Sequence, residues 1–225
     1  MADPIAPVIT IDGPTASGKG AVAAAVARRL GWHYLDSGAL YRLVALQAGR
    51  EQVALDDENG LARLALDLDV QFEQDRILCA GRDVGDSIRT PAIGNAASQI
   101  AVFPAVRRAL LARQRAFRRL PGLVADGRDM ASVVFPQASL KVFLTADVAI
   151  RASRRHKQLI DKGISTKLID LRAELEERDT RDTMRPIAPL AAGEDSVIID
   201  SSNMDLESVV ARVVQLATDA GLRAV

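Results

Sequence analysis

A short segment near the start of the chain has the residue types and spacing that bind the phosphates of a nucleotide. Residues 13–19 read Gly-Pro-Thr-Ala-Ser-Gly-Lys and match the pattern G-x-x-x-x-G-K. The glycines let such a loop wrap an anion with inward-pointing backbone N–H groups, and Lys19 can reach the outer phosphates. A helix that starts after the loop adds about half a positive charge. We therefore expect the triphosphate to contact Gly13, Pro14, Thr15, Ala16, Ser17, Gly18, Lys19, Gly20 and Ala21.

The residues that follow the lysine depart from the usual phosphate-loop pattern. A Ser or Thr there normally supplies a hydroxyl to Mg²⁺, whereas this chain has Gly20 and then Ala21. Nucleotide kinases often have Gly-Lys-Gly-Thr, so Gly20 fits that pattern and Ala21 does not. We expect Mg²⁺ to be held through the phosphates and water, or through another oxygen from Asp12, Ser17 or Asp126.

Three further segments combine arginine with a carboxylate. Residues 36–42 read Asp-Ser-Gly-Ala-Leu-Tyr-Arg, residues 125–130 read Ala-Asp-Gly-Arg-Asp-Met, and residues 178–185 read Arg-Asp-Thr-Arg-Asp-Thr-Met-Arg. Arginine suits phosphate because its planar fork binds two oxygens and keeps its proton. If the third segment is helical, four charged residues share one face: Arg178, Arg181, Asp182 and Arg185. One such cluster alone is typical of a surface salt-bridge network, but three in a chain with a phosphate loop favour phosphate binding.

A parallel sheet is predicted to position these segments. Short apolar runs alternate with helical stretches, which is typical of a parallel sheet flanked by helices. Strands are predicted at 8–11, 33–35, 123–125, 140–145 and 197–199. Helices are predicted at 20–30, 38–49, 92–101, 105–119, 147–162, 167–180 and 205–220. Each predicted strand ends near a polar residue, where α/β folds place their ligand loops.

The stretch from residue 68 to residue 89 interrupts this alternation. It contains two short β-like pieces, residues 70–72 and residues 77–79, which residues 74–76 connect. Glycines and aspartates punctuate the rest of the stretch. This pattern predicts a small antiparallel insertion in an otherwise doubly wound domain.

Composition excludes several classes of protein. The 225 residues are 48% hydrophobic and 26% charged, as in ordinary globular proteins. Basic and acidic residues number 29 each, whereas a protein that binds nucleic-acid backbone usually has a basic surplus. A single cysteine, Cys79, and two histidines predict neither an internal disulfide nor a Cys/His zinc site. No apolar run is long enough to span a membrane, and residues 1–4 do not resemble a signal peptide. We expect a soluble, cytoplasmic protein.

Five segments, taken in order, resemble bacterial cytidylate kinases. They are residues 11–14, 35–42, 95–99, 125–130 and 177–185, and the similarity extends over about residues 5–220. The strings Asp-Ser-Gly-Ala-Leu-Tyr-Arg and Asp-Gly-Arg-Asp-Met distinguish that family from adenylate kinases. The resemblance implies the α/β fold of P-loop nucleoside monophosphate kinases: a five-stranded parallel sheet flanked by helices, a small antiparallel β insertion and a short lid. It implies one domain over residues 1–225, with a core (about 5–60, 90–150 and 166–220), a monophosphate-binding insertion (about 61–89) and a lid (about 151–165).

The resemblance also implies an activity. The expected reaction is transfer of the γ-phosphoryl group of ATP to CMP, and to dCMP, giving ADP and CDP or dCDP in pyrimidine nucleotide metabolism. Mg²⁺ is the expected cofactor. The expected enzyme is a cytoplasmic monomer that has nucleotides as substrates and neither nucleic acid nor membrane as a partner.

Roles for individual residues follow from the same resemblance. The expected catalytic residues are Lys19, Arg128, Arg154 and Arg185. The expected ligands of the CMP phosphate are Arg42, Arg128 and Arg185. The cytosine ring is expected to contact Ser98, Arg107 and Asp129, and the ribose is expected to contact Asp182 together with Arg178. Ser37 and Tyr41 are expected to line the same pocket, and Arg151, Arg154 and Arg155 are expected in or beside the lid.

The phosphate loop and the arginine-rich stretch also suggest two alternative functions. The phosphate-loop string is also similar to that of tRNA dimethylallyltransferases, and residues 105–120 carry six arginines without an acidic residue, as an RNA-facing helix would. The neutral net charge and residues 126–129, which have no part in that scheme, count against it. The other alternative is a regulator that binds nucleotides without transferring phosphate, because Ala21 lacks a hydroxyl. Lys19 and the three arginine clusters count against this second alternative.

Overall fold

The computed structural model describes residues 5–73, 76–161 and 163–224, except for the side chains of Phe72 and Glu73. The strands in chain order are β1 (Val8–Asp12), β2 (His33–Asp36), β3 (Val70–Glu73), β4 (Arg76–Cys79), β5 (Arg82–Asp83), β6 (Leu123–Gly127), β7 (Leu140–Thr145) and β8 (Val197–Asp200). The α-helices are α1 (Lys19–Leu30), α2 (Ser37–Glu51), α3 (Glu58–Leu66), α4 (Pro91–Ile100), α5 (Pro104–Ala116), α6 (Val148–Ile160), α7 (Leu168–Thr183) and α8 (Leu206–Asp219). A 3₁₀ turn at Ser87–Arg89 and a π-helical turn at Met130–Val134 complete the regular structure of the described residues.

A five-stranded parallel sheet with the order β2-β6-β1-β7-β8 confirms the predicted fold class. Strands β1 and β6 are buried along their whole length, which explains why both are mainly apolar before the aspartate near their carboxyl ends. Helices α1 and α8 cover the sheet with residues such as Val22, Val26 and Val213. In the β1–β6 pairing, Asp12 lies opposite Gly127. The loops that follow these two strands therefore start side by side at the carboxyl edge of the sheet.

The chain divides into two compact units. Unit 1 comprises residues 1–36 and 115–225 and contains the parallel sheet with α1, α6, α7 and α8. Unit 2 comprises residues 37–114 and contains helices α2, α3 and α4, most of α5, and a smaller sheet. Among the described residues, every helix is too short or too polar to cross a lipid bilayer.

The smaller sheet of unit 2 is three-stranded and antiparallel, in the order β3-β4-β5, and confirms the predicted insertion. Ala80 and Gly81 connect β4 to β5, both with a positive φ (50° and 72°), as a two-residue hairpin turn requires. The predicted connection between the first two pieces includes Gln74 and Asp75, which lie outside the described residues. Helix α3 was not predicted from the sequence; the side chain of Asp57 caps it by accepting from the backbone N–H of Gly60.

Candidate active site

The predicted phosphate loop lies in unit 1, between the end of β1 and the start of α1. Gly13 must be glycine because a Cβ there would overlap the carbonyl oxygen of Leu144. Ala16 and Gly18 have positive φ values of 61° and 90°, so the chain curls around the space in front of the helix. Successive N–H groups in such a conformation form a concave anion-binding surface. The loop is therefore already shaped as a phosphate cradle.

Lys19 is the first residue of α1 and is buried beneath this loop. Its Nζ donates to the carbonyl oxygen of Pro14 at 3.1 Å, and the residue is 8% exposed. The pKa of Lys19 is lowered to about 7, first by burial and then by the charge of Arg128, whereas the carboxylates of Asp126 and Asp36 act in the opposite direction. Lys19 thus lies at the loop, as predicted, in a place where a bound anion changes its protonation.

Asp12, at the end of β1, holds the segment that carries Arg128 and Asp129. Its two carboxylate oxygens accept from the backbone N–H groups of Met130 and Ala131, at 2.9 and 2.8 Å. Burial raises the pKa of Asp12 to about 7, although these two hydrogen bonds act to lower it. The bonds attach the start of the π-helical turn to β1. They therefore fix the path of the backbone after β6, and with it the positions of Arg128 and Asp129.

Asp126 lies in the neighbouring strand, next to the start of α1. Its Oδ2 accepts from the hydroxyl of Tyr34 at 2.6 Å, and a Cβ placed on Gly20 would lie 3.5 Å from the same oxygen. The pKa of Asp126 is raised to about 7, first by burial and then by the nearby charge of Asp36, whereas the charge of Lys19 acts to lower it. Asp126 is therefore a buried carboxylate beside the phosphate loop.

A second group of charges in unit 1 surrounds Asp182, near the end of α7. The Nε of Arg128 donates to Asp182 Oδ2 at 2.8 Å, and its Nη2 donates to the hydroxyl of Thr15 in the phosphate loop. The Nε of Arg185 donates to the backbone oxygen of Asp182 at 3.2 Å. Burial alone would raise the pKa of Asp182, but the charges of Arg128, Arg178 and Arg185 hold it below the usual value. The structure therefore brings four predicted residues together beside the loop.

The structure changes one detail of this cluster. Helix α7 ends at Thr183, so Arg185 lies beyond the helix and not on its face, because the following Pro186 disfavours helical backbone at residue 185. Arg181, which the spacing placed on the same face, instead pairs at the surface with Glu177. Arg185 reaches Asp182 all the same and is only 6% exposed.

The arginines of α6 contact protein atoms around the phosphate loop. Arg154 donates to the carbonyl oxygen of Ser17 at 3.3 Å, to Ser201 through its hydroxyl and carbonyl oxygens at 3.1 and 2.6 Å, and to the carbonyl oxygen of Met204 at 3.4 Å. Arg151 is 5% exposed and donates to the carbonyl oxygen of Thr15 at 3.0 Å. The residues that were expected in or beside a lid therefore include two that attach helix α6 to the loop.

The remaining predicted residues belong to unit 2. Helix α2 carries Ser37, Tyr41 and Arg42, helix α4 carries Ser98, and helix α5 carries Arg107. Ser37 and Ser98 are buried, at 4% and 3% exposed. The Arg107 guanidinium lies 6.0 Å from the centre of the Tyr41 ring, and its Nη1 donates to Ala101 O at 3.1 Å. The Nη1 of Arg42 donates to the carbonyl oxygen of Ile88 at 2.8 Å. Tyr41 and Arg107 are thus placed together, as a shared pocket requires.

Three residues of this region received no role from the sequence. Tyr34 holds Asp126, Asp179 pairs with Arg151, and Asp36 acts on the pKa values of both Lys19 and Asp126. Asp179 and Asp36 belong to the arginine-bearing segments, which was an available signal. Tyr34 lies one residue before the buried Leu35 in a predicted strand, and nothing in its local pattern points to Asp126.

The fold and the site together define a class of protein. A glycine-bearing phosphate loop joins the central strand of a parallel sheet to a helix, a buried lysine lies under it, and arginines gather beside it. This is the arrangement of a P-loop phosphotransferase, which works by positioning phosphates and neutralising their charge.

Comparison with known proteins identifies the family. The family model described as "Cytidylate kinase" matches residues 9–219. The chain is 59% identical over 208 residues to the cytidylate kinase of Bordetella pertussis, covering 92% of this chain and 93% of that one. It is 58% identical over 208 residues to the cytidylate kinase of Cupriavidus pinatubonensis (92% and 94%) and 53% identical over 217 residues to that of Aeromonas salmonicida (95% and 94%). The chain belongs to the cytidylate kinase family, which confirms the resemblance found in its motifs and decides against both alternative functions.

Proposed function

We infer that the chain catalyses transfer of the γ-phosphoryl group from ATP to CMP, with CDP and ADP as products. An oxygen of the CMP phosphate forms a bond to the γ-phosphorus, and the bond from that phosphorus to the bridging oxygen of ADP breaks. The observation that carries this function is the attachment of the Arg128–Asp182 pair to Thr15 of the phosphate loop. It places arginines suited to an acceptor phosphate next to a loop suited to the donor phosphates.

Lys19 is proposed to neutralise the outer phosphates of ATP. Its depressed pKa means that the amine gives up its proton easily while no anion is present. A phosphate held in the loop raises this pKa again, because an opposite charge favours the protonated form. ATP binding therefore restores a full positive charge where negative charge develops during transfer.

The residues proposed to take the acceptor nucleotide are each assigned by their match to the family motifs. Arg42, Arg128 and Arg185 are assigned to the phosphate of CMP. Ser98, Arg107 and Asp129 are assigned to the base, Asp182 with Arg178 to the ribose, and Ser37 and Tyr41 to the wall of the pocket. The arginine cluster around Asp182 supports the first assignment, and the contact between Arg107 and Tyr41 supports the second. Arg154 is proposed to act by holding Ser17 of the loop in place.

Mg²⁺ is the proposed cofactor. The residues near the loop offer few oxygen ligands, which fits an ion that the protein itself holds weakly. Within the described ranges, no three His, Cys, Asp or Glu side chains are grouped to hold a metal. Asp126 lies beside the loop, and Ser17 Oγ is buried with no hydrogen-bond partner among the described residues. Asp12 is the weaker candidate, because backbone N–H groups already occupy both of its oxygens. When bound, Mg²⁺ supplies charge neutralisation on the phosphates, while Asp126 and Ser17 offer the oxygen atoms that it prefers.

The proposal extends to dCMP as an acceptor and to a cytoplasmic monomer that binds neither nucleic acid nor membrane. Two arginines of the stretch that suggested RNA binding donate hydrogen bonds to backbone oxygens of the protein itself. Arg115 donates to the carbonyl oxygens of Val133 and Val134, and Arg118 donates to that of Ala6. These contacts favour a structural role for that part of the stretch.

A panel of phosphate acceptors tests the function directly. ADP formation is measured in a coupled assay with ATP, Mg²⁺ and one of CMP, dCMP, UMP, AMP or GMP. We expect kcat/KM to be highest for CMP, followed by dCMP, and ADP formation to require an acceptor. Equal efficiency with AMP or GMP, or rapid ADP formation without any acceptor, would contradict the proposed function.

A further inference from the structure

Arg151 and Asp179 form an ion pair that has no part in the roles assigned above. Arg151 Nη2 lies 2.6 Å from Asp179 Oδ2, and the two side chains are only 7% and 22% exposed. The pair joins residues 28 positions apart in the sequence, on helices α6 and α7. An exposed Arg–carboxylate pair contributes little to stability, but a shielded pair with fixed geometry can hold two elements in register.

Arg151 also contacts two other segments. Its Nε donates to the carbonyl oxygen of Ala146 at 2.9 Å, just after β7, and its Nη1 donates to the carbonyl oxygen of Thr15 at 3.0 Å. One guanidinium thus joins the end of a sheet strand, the phosphate loop and helix α7. Because Arg151 is buried and each of its three nitrogens contacts a protein oxygen, it is placed to position other groups.

A parallel connection runs through Arg128. This arginine contacts the side chain of Thr15 and the carboxylate of Asp182, whereas Arg151 contacts the backbone of Thr15 and the carboxylate of Asp179. Asp179 and Asp182 are three residues apart on α7 and so lie on one face of the helix. Two arginine–aspartate pairs therefore connect one residue of the phosphate loop to one helix face.

We propose that the Arg151–Asp179 pair is a positioning element that couples the phosphate loop to the acceptor-binding residues of α7. It holds the end of this helix, and with it Asp182, at a set distance from Thr15. ATP phosphates that fill the loop then bias the position of α7, which changes the affinity and the alignment of CMP. The inference rests on the proposed assignment of α7 residues to the acceptor. Alignment of this kind matters because a displacement of about 1 Å can cost up to roughly 10²-fold in rate.

Asp179→Asn tests the pair, and Glu176→Gln is its matched control. Glu176 lies on the same helix in an Arg–carboxylate pair, with Arg172 at 2.9 Å, but that pair is about half exposed (55% and 51%). The Kd of CMP is measured by calorimetry with and without a non-hydrolysable ATP analogue, and kcat is measured with both substrates saturating. We expect the analogue to change the Kd of CMP in the wild type and in Glu176→Gln. In Asp179→Asn we expect this change to shrink towards onefold. We also expect kcat to fall by roughly 3- to 30-fold, within the roughly 10²-fold that a displacement of about 1 Å can cost.

Three results would overturn the proposal. The analogue could leave the Kd of CMP unchanged in the wild type, or Asp179→Asn could match the wild type in both readouts. Asp179→Asn could also lower the melting temperature and kcat while the effect of the analogue on CMP binding stays intact, which would make the pair merely structural. Failure of the proposed function is distinct, because the wild type would then not phosphorylate CMP at all.

Arg151→Lys provides a second test if Asp179→Asn does not fold. A lysine keeps the positive charge, but its single amine cannot reproduce the fork that joins Thr15 and Asp179. We expect this variant to fold and to lose the effect of the analogue on CMP binding. Wild-type coupling in Arg151→Lys would show that charge neutralisation is enough, which would overturn a positioning role.

Discussion

Two groups of buried charges in unit 1 differ in what controls their protonation. At the carboxyl edge of the sheet, Asp12 and Asp126 have pKa values raised to about 7, and Lys19 has one lowered to about 7. Near the end of α7, Asp182 is just as inaccessible (3% exposed), but its pKa lies below the usual value. The first group is dominated by burial, whereas three arginine charges outweigh burial in the second.

This difference indicates two kinds of site. The groups at the sheet edge have pKa values near neutral pH, so their protonation can respond to phosphate and a cation. Asp182 and its arginines keep their charges with or without a ligand, and so form a fixed receptor. In a phosphotransferase the responsive group suits the ATP phosphates, and the fixed group suits recognition of the acceptor.

Asp182→Asn is expected to have the largest effect, because it removes the charge that compensates the arginines. The free energy of unfolding at pH 7 should fall by about 3 kcal/mol, as when a buried pair loses one partner. Because folding lowers the pKa of Asp182, its contribution is present above pH 3.8 and is lost as the pH falls through the lowered value. Denaturant unfolding of the wild type and the variant at pH 7 and at a low pH, below the lowered pKa, measures this difference. Glu177→Gln, in an exposed pair on the same helix, should change stability by less than about 0.5 kcal/mol. An equal loss at both pH values would mean that Asp182 stabilises only by packing.

Lys19→Ala, in the group at the sheet edge, should lower the rate strongly without lowering the stability of the fold, unlike Asp182→Asn. We expect kcat to fall by roughly 10²-fold or more, the scale of one electrostatic donor lost from a transition state. Because burial disfavours the charged amine, the melting temperature at pH 6 should be unchanged or higher. Steady-state kinetics and thermal unfolding measure the two effects, with the exposed Lys157→Ala as control. Near-normal turnover in a folded Lys19→Ala variant would remove Lys19 from the mechanism.

Asp129 lies between the two groups: it follows Arg128 in the chain and raises the pKa of Asp12. Its proposed role is to accept from the exocyclic amine of cytosine, where uracil has a carbonyl oxygen. In Asp129→Asn we expect the CMP-to-UMP ratio of kcat/KM to narrow by at least about fivefold, because one good base contact discriminates by about 1–3 kcal/mol. If the activities with CMP and UMP both drop while their ratio stays constant, Asp129 orients Arg128. Recognition of the base would then be assigned to Ser98 and Arg107.

Ala21→Thr should have the smallest effect. It tests how the cation is held near the charges at the sheet edge. Ala21 is exposed near the start of α1, so a threonine fits without disturbing the core. If the missing hydroxyl weakens the hold on the cation, the Mg²⁺ concentration for half-maximal activity should fall by roughly two- to fivefold, the equivalent of one net hydrogen bond. Ala21→Val is the control of similar shape. An unchanged Mg²⁺ titration in Ala21→Thr would mean that water and phosphates alone hold the ion there.

Features that depend on neighbouring residues in the chain were predictable. The five sheet strands, the phosphate loop and the antiparallel insertion all follow from short apolar runs and from the placement of glycines. The family followed from motif strings in which residue type and spacing are local. These predictions succeeded because backbone conformation and amphipathic patterning arise from interactions within about a dozen residues.

Partnerships between side chains far apart in the sequence were not predictable in the same way. Arg151 was expected in or beside a lid, and no local pattern indicated its contacts with Thr15, Ala146 and Asp179. Nor did any local pattern point from Tyr34 to Asp126. The position of Arg185 beyond the end of α7, in contrast, follows from its neighbour Pro186.

The amino-acid order therefore specified which chemistry the chain carries and on which strands and helices. Folding specified which charges face one another, and with that the opposite pKa shifts of Asp126 and Asp182. The physical reason is that burial and the distances between charges exist only once the elements have packed, and both change the energy of an ionised group by amounts that residue type alone does not contain.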